Sequence, residues 1–455
     1  MSEALSSPAP SVWRGNYAAV TAGAVALVFL AALQSLAVTT VMPVVSAELN
    51  GASLYAVAFA GTLATSVIGM VAAGAWADRS SPLKALTTAV LLFLIGLVIA
   101  GLATSMPALV AGRLIQGLGV GGQTVSLYVI VARVYPSLMH GRVFAAFSAA
   151  WVVPSLIGPF LAGAVTEYLH WRWVFLGVAA LTVCAFVMVF LRLRGRDLHT
   201  DDPAGGGTAK RLALAVLVAA SALALSLSGE LGTWAWLGVI VSLVVMAIVI
   251  RPLLPKRALR AARGLPSVVL MRGLIAGALF GSEIYIPYLL IEQYEFSPTW
   301  AGLGLTAGAL TWATAAELQG RFGDRLGNTR ITVIGSAQLL AAILLCAATA
   351  LWGLNPAVMI VGWALSGSGM GLMYPRLTVL TLAYSTPQNQ GFNSSALSIS
   401  DSIGSASTMA IMGVVFTALV GTGAGFTAVF AIAALLAILA LVPGLRLGHA
   451  AEATR

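Results

Sequence analysis

The sequence predicts an all-α polytopic membrane protein: two pseudo-symmetric six-helix bundles joined by a two-helix central insertion. That makes fourteen transmembrane helices, with both termini cytoplasmic. Three observations carry this expectation. The 455-residue chain is 59% hydrophobic and only 9% charged, against about 25% charged in soluble proteins. Its apolar runs approach or exceed the roughly 20 residues that a helix needs to cross a bilayer. One charged corner also occurs twice, as Gly74-Ala75-Trp76-Ala77-Asp78-Arg79 and as Gly320-Arg321-Phe322-Gly323-Asp324-Arg325, 246 residues apart at both glycine and aspartate. A repeat halfway along an apolar chain marks two similar halves with a site between them.

The spans follow in order: roughly 17–44, 52–76, 84–104, 108–134, 143–166, 173–191, 211–228, 234–250, 267–291, 299–320, 331–351, 356–380, 392–419 and 424–443. The first is too long for a signal-peptide core and lacks a small-residue cleavage site, so it reads as an uncleaved helix. Alternate gaps are basic: Arg79 and Lys84; His140 and Arg142; Arg192 to Arg211; Arg251 to Arg263; Arg321, Arg325 and Arg330. The remaining gaps hold Glu48, Glu167, Glu230, Glu292 and Glu295, with Arg172 their one basic residue. The basic side is cytoplasmic. The polar stretch 197–210, with Asp201, Asp202, Pro203 and Gly205–Gly207, reads as a flexible linker. It leads into the weak hairpin 211–250. The expected units are therefore residues 1–196, 197–263 and 264–455.

Composition also excludes several functions. Behind the net charge of +9, Lys and Arg cluster in a few short gaps between apolar runs, which is an orientation signal and not a nucleic-acid stripe. Cys184 and Cys346 each lie in an apolar run and read as small buried hydrophobes, giving neither a disulfide nor a metal site. The four histidines fall outside the spans, no nucleophile–base pair is visible, and no phosphate-binding loop occurs. An enzyme, a cofactor and ATP drive are thus not expected. Arg strongly outnumbers Lys and Ala and Gly abound, which suggests a GC-rich bacterial genome and the inner (plasma) membrane.

Four stretches carry a resemblance. They are the corner at Asp78 and Arg79, repeated at Asp324 and Arg325; Arg113-Leu-Ile-Gln116-Gly117; Gly158-Pro159 with Gly163; and His170-Trp171-Arg172-Trp173. In these the chain resembles the major facilitator superfamily, and within it the fourteen-helix drug:proton antiporters, over nearly its whole length. After Arg79, Ser81 and Pro82 replace the usual Gly and Arg. The resemblance implies proton-gradient-driven export of a small amphipathic compound by alternating access, from a monomer in the lipid bilayer. It implies gating by Asp78 against the helix that begins near Gly391, and by Asp324 against the run 143–166. It implies a kinked, close-packed helix at Gly158 and Pro159, with Gly163 admitting a neighbour. The His170 segment would be an interfacial anchor.

The chain departs from that family in its first span, where Gln34 occupies the position of an expected Asp. Glutamine hydrogen-bonds but takes up no proton, which leaves Arg113 without an expected carboxylate. Three acids inside spans are the substitutes: Asp401 near the midplane of a serine-rich run, Glu283 beside Tyr285, Pro287 and Tyr288, and Glu317, read as a structural partner of the second corner. An ionisable residue in a span is expensive and points to function. The expected proton-coupling and substrate residues are therefore Asp401, Glu283, Gln34 and Arg113. Arg376 reads as reaching the cytoplasmic interface. A lipid, envelope-precursor or metabolite cargo on the same fold is the alternative, and a non-transporting membrane sensor a weaker one.

Overall fold

A computed structural model describes residues 12–51, 54–199, 208–228, 232, 234–296 and 298–447. Glu230, Asp201, Asp202 and His449 lie outside the described residues. Every regular element among the described residues is helical. The first half holds α1 (Ala18–Glu48), α2 (Tyr55–Ala77), α3 (Pro82–Gly101), α4 (Met106–Val134), α5 (Ser137–Ala149), α6 (Val152–Tyr168) and α7 (Arg172–Leu193). Next come α8 (Thr208–Leu227) and α9 (Ala235–Val249). The second half holds α10 (Leu265–Glu283), α11 (Tyr285–Tyr294), α12 (Pro298–Leu326), α13 (Asn328–Trp352), α14 (Pro356–Ala383), α15 (Gln390–Leu419) and α16 (Gly425–Gly444).

Each apolar run of the sequence falls on a helix or on a broken pair. Among the described residues, twelve such helices are long and apolar enough to cross a membrane. Two more fall short: α9 has 15 residues, and the apolar half of α12 is rich in Gly, Thr and Trp. Both breaks have a proline cause. Pro154 removes the donor that would bond the Ala150 carbonyl, and the helix is interrupted between α5 and α6 at Ala150 and Trp151. Pro287 does the same to the Glu283 carbonyl, and α10 gives way to α11 at Ile284. The helix continues unbroken through Pro159, where a kink was expected, and the break lies earlier in the same run.

The halves pack alike. α4 lies on α2 and α3, and α1 on α7; in the second half α14 lies on α12 and α13, and α10 on α16. Glycines permit the close approach in α4. A Cβ on Gly112 would sit 2.9 Å from the Gly96 carbonyl oxygen, and one on Gly121 would collide with the Ser66 carbonyl. Gly163 contradicts the expectation set for it, because a Cβ there meets nothing within 4 Å. It faces open space, whereas Gly158 lies against Leu33 and Leu36 of α1. The hairpin α8–α9 covers the seam between the halves: α8 packs on α2 and α15, and Leu225, Val239 and Met246 form a small core against Ile403, Ala410 and Ile411 of α15.

Three further readings are corrected by packing. Cys346 is buried, but Cys184 is exposed on the outer face of α7. Trp171 is no interfacial anchor: it is 1% exposed and donates to Glu48 of α1 at 2.7 Å, while Trp173 takes the outer position. Arg376 reaches the basic end, where it donates to Asn328 at the start of α13, but it is buried there rather than open to the interface.

Candidate functional site

Among the described residues Arg172 of α7 pairs with Glu48 of α1 at 2.9 Å at the far end, and two further places gather charged side chains: the basic end of the molecule, where the repeated corners lie, and the middle of the second half.

At the basic end, Asp78 follows the last residue of α2 and accepts from the first amides of α15. Gly391 N–H donates to Oδ1 at 2.6 Å and Phe392 N–H to Oδ2 at 2.8 Å. A helix N-terminus offers free amides and a favourable dipole to a carboxylate. Gly74 and Gly391 make the approach possible, since a Cβ on Gly74 would stand 2.5 Å from the Gly391 carbonyl oxygen. Burial pushes the Asp78 carboxyl up to about 6, against the opposing pull of the Gly391 and Phe392 amides and then of Arg133 and Arg211. Arg79, beside it, is exposed.

Arg133, near the end of α4, was not singled out from sequence. Its guanidinium donates to the carbonyls of Leu198 at 2.6 Å, Ala77 at 2.8 Å, Pro387 at 3.2 Å and Ser80 at 3.3 Å. It therefore ties the corner after α2 to the segment after α7 and to the loop before α15. Arg211 of α8 stacks over Phe392, 4.5 Å from the ring centroid, on the same latch.

The second corner repeats part of this. Gly320 of α12 lies against Gly141 and Ala145 of α5; a Cβ there would be 3.0 Å from the Gly141 carbonyl oxygen. The side chain of Asp324 lies outside the described residues, and Arg325 is exposed. Glu317 pairs with Arg321 at 2.6 Å on an exposed face, the structural role expected of it. Packing between the halves is thus concentrated at the basic end, through α2 with α15 and α5 with α12.

In the second half, Asp401 of α15 accepts from Arg272 of α10 at 2.8 Å and from the Tyr374 hydroxyl of α14 at 2.6 Å. Arg272 also donates to the Tyr374 carbonyl at 3.0 Å, and its guanidinium carbon lies 3.4 Å from the Tyr374 ring centroid. Tyr128 of α4 reaches this pair from the first half, and Trp312 of α12 stacks edge-on to Tyr374. Five helices of both halves converge here. Arg272 and Tyr374 were missed in the sequence, although an Arg six residues into an apolar run carries the same signal that flagged Arg113.

Glu283 stands eleven residues after Arg272 on the same helix. At 100° per residue that returns it to the same face, about 16 Å further from the basic end. It is half-buried and, among the described residues, has no ion-pair or hydrogen-bond partner. Just past the break, Tyr285 and Tyr288 stack on Phe416 and Phe426. Arg113 is buried and donates to the Ala58 carbonyl at 3.2 Å and to Gln116 at 2.7 Å. No carboxylate pairs with it among the described residues. Gln34 is 1% exposed, and both ends of its amide lack partners. The structure thus separates Gln34 and Arg113, in the first half, from Asp401 and Glu283, in the second.

The Major Facilitator Superfamily model matches residues 24–334 and 268–453. The chain belongs to this superfamily. Its members are transporters, not enzymes. Among its relatives in the superfamily is the multidrug efflux pump SdrM of Staphylococcus aureus (strain N315), 24% identical, covering 86% of this chain and 88% of that protein. Another is the multidrug transporter protein MdtP of Bacillus subtilis (strain 168), 23% identical, covering 87% and 74%. Among solved structures, a bacterial homologue of the iron transporter ferroportin in its outward-facing state superposes with a TM-score of 0.70 at 12% identity, covering 94% and 99%. That likeness shows the fold.

Proposed function

We propose that this transporter exports small amphipathic, drug-like compounds in exchange for protons, by alternating access, with fourteen membrane helices and its basic end in the cytoplasm. The similarity to multidrug efflux proteins supports the cargo class. One observation carries the coupling: Glu283 is a carboxyl inside a span, unpaired among the described residues, on the face of α10 that also presents the Arg272–Asp401 pair. A carboxylate in a span without a counter-charge is costly, and a proton or a cationic cargo removes that cost. Both halves close on each other at the basic end, so this conformation is outward-facing. Protons reach Glu283 from outside. Loss of the Asp401 contact with Arg272 and Tyr374 loosens the join between α10, α14 and α15 at the face turned toward α4. The latch at Asp78 then opens to take up cargo from inside.

The test is uptake of a fluorescent lipophilic cation into inverted vesicles under an imposed proton gradient. The reading expects uptake that collapses when the gradient is dissipated. Uptake of neither the cation nor any other amphipathic dye would instead favour a lipid or metabolite cargo.

A further inference from the structure

A groove of about 770 Å³ opens beside the latch, where the ends of α2, α3 and α7 meet. Its chemistry is divided. Trp76, Leu83, Phe190 and Leu193 form an apolar wall toward the spans. Lys84 and Arg196 stand exposed on its rim, with the hydroxyls of Ser81 and Thr88 beside them. Among the described residues neither cation has an ion-pair partner. Among the described residues the acid lining the groove is Asp197, which is held by His199 at 3.0 Å, and the two cations leave the rim with a net positive charge.

We propose that this groove seats one anionic phospholipid of the inner leaflet, with its phosphate between Lys84 and Arg196 and an acyl chain along the apolar wall. The proposal rests on the cytoplasmic assignment of the basic end made above. Charge and depth both select this occupant. The wall lies at the ends of spanning helices, where acyl chains end, and the cations lie just beyond it, where anionic headgroups attract Lys and Arg. The seat also adjoins the latch. Ser81 follows Ser80, and Asp197 precedes Leu198; Arg133 holds the carbonyls of both Ser80 and Leu198. A lipid filling the groove fixes these two segments and so favours closure at Asp78.

Native mass spectrometry of the full chain in detergent tests the seat, with phosphatidylglycerol, phosphatidylethanolamine of the same acyl chains and inorganic phosphate as probes. The first phosphatidylglycerol should bind more than about ten-fold tighter than phosphatidylethanolamine. K84A/R196A should lose more than about ten-fold of that affinity, and Phe190→Ala a few-fold. R251A/K256A, which removes the same charge from another basic loop, should change it less than about two-fold. Equal losses in the two double variants, equal binding of the two lipids, or displacement of the lipid by inorganic phosphate would each overturn the seat. Amide exchange at Gly391 and Phe392 should slow in phosphatidylglycerol nanodiscs relative to phosphatidylethanolamine, and not in K84A/R196A. No slowing in the wild type would overturn the link to the latch. No transport is measured, so failure here leaves the efflux reading standing.

Discussion

The two halves share a helix arrangement but differ in what they bury. The first half encloses Arg113 bonded to a carbonyl and a glutamine, and Gln34, whose amide has no partner among the described residues. The second encloses a charged triad of Arg272, Asp401 and Tyr374, and carries Glu283 on the same helix face. A duplicated backbone therefore does not duplicate its chemistry. Among the described residues no carboxyl of the first half pairs with its buried arginine, which is why the proposed proton coupling is assigned to the second.

Breaking the triad is the largest change available. Arg272→Ala strands Asp401, and removing one partner of a buried pair costs about 3–5 kcal/mol. Asp401 retains 26% side-chain exposure, which places the loss near the lower figure. A detergent-solubilised melting curve should show a sharp drop for Arg272→Ala and a smaller one for Arg113→Gln, which strands no acid. Equal drops would erase the contrast between the halves.

The latch comes next. Asp78→Ala leaves the Gly391 and Phe392 amides without acceptors and should cost about 2 kcal/mol of closure, near the top of the range for a lost N-terminal cap. Spin-label distances between the ends of α2 and α15 should shift toward the open arrangement by roughly 30-fold. Closure should also depend on pH through this group. In the closed state Asp78 keeps its proton up to about pH 6, whereas an opened, solvated Asp releases it near 4. The closed end holds the extra proton between those values. Its contribution is therefore full below about pH 4 and lost as pH rises through 6. Asp78→Asn should abolish that dependence in the same distance measurement.

The smallest effect is the most specific to the first half. Gln34→Leu removes a buried amide with no partners and should leave stability unchanged or raise it by about 1 kcal/mol. A large loss on melting would mean that the Gln34 amide is bonded after all.

Much of the latch was legible in the sequence. The doubled Gly-x-x-x-Asp-Arg corner located Asp78, and the resemblance to the superfamily implied its partner, the helix that begins near Gly391. The contact is one of backbone amides because the first N–H groups of a helix have no partner within it. The prolines at 154 and 287 account for the two breaks, because a missing donor acts at a fixed offset, whereas the kink expected at Pro159 is no break. The triad was not legible as a triad. Arg272, Tyr374 and Asp401 lie far apart along the chain, and only the rotation of α10, α14 and α15 about their axes brings them together. Arg133 was hidden differently: its partners are carbonyls, which leave no mark in the sequence. Trp171 looked like an interfacial anchor because Glu48, the group that draws it inward, is 123 residues away.

The central claim is that proton coupling resides in the second half. Proton-driven uptake in inverted vesicles tests it most directly, with wild type beside Glu283→Gln and Asp401→Asn at matched protein levels. The account predicts that Glu283→Gln folds normally and loses gradient-driven uptake by at least about ten-fold, and that Asp401→Asn loses it together with some stability. Full gradient dependence in both variants would contradict it.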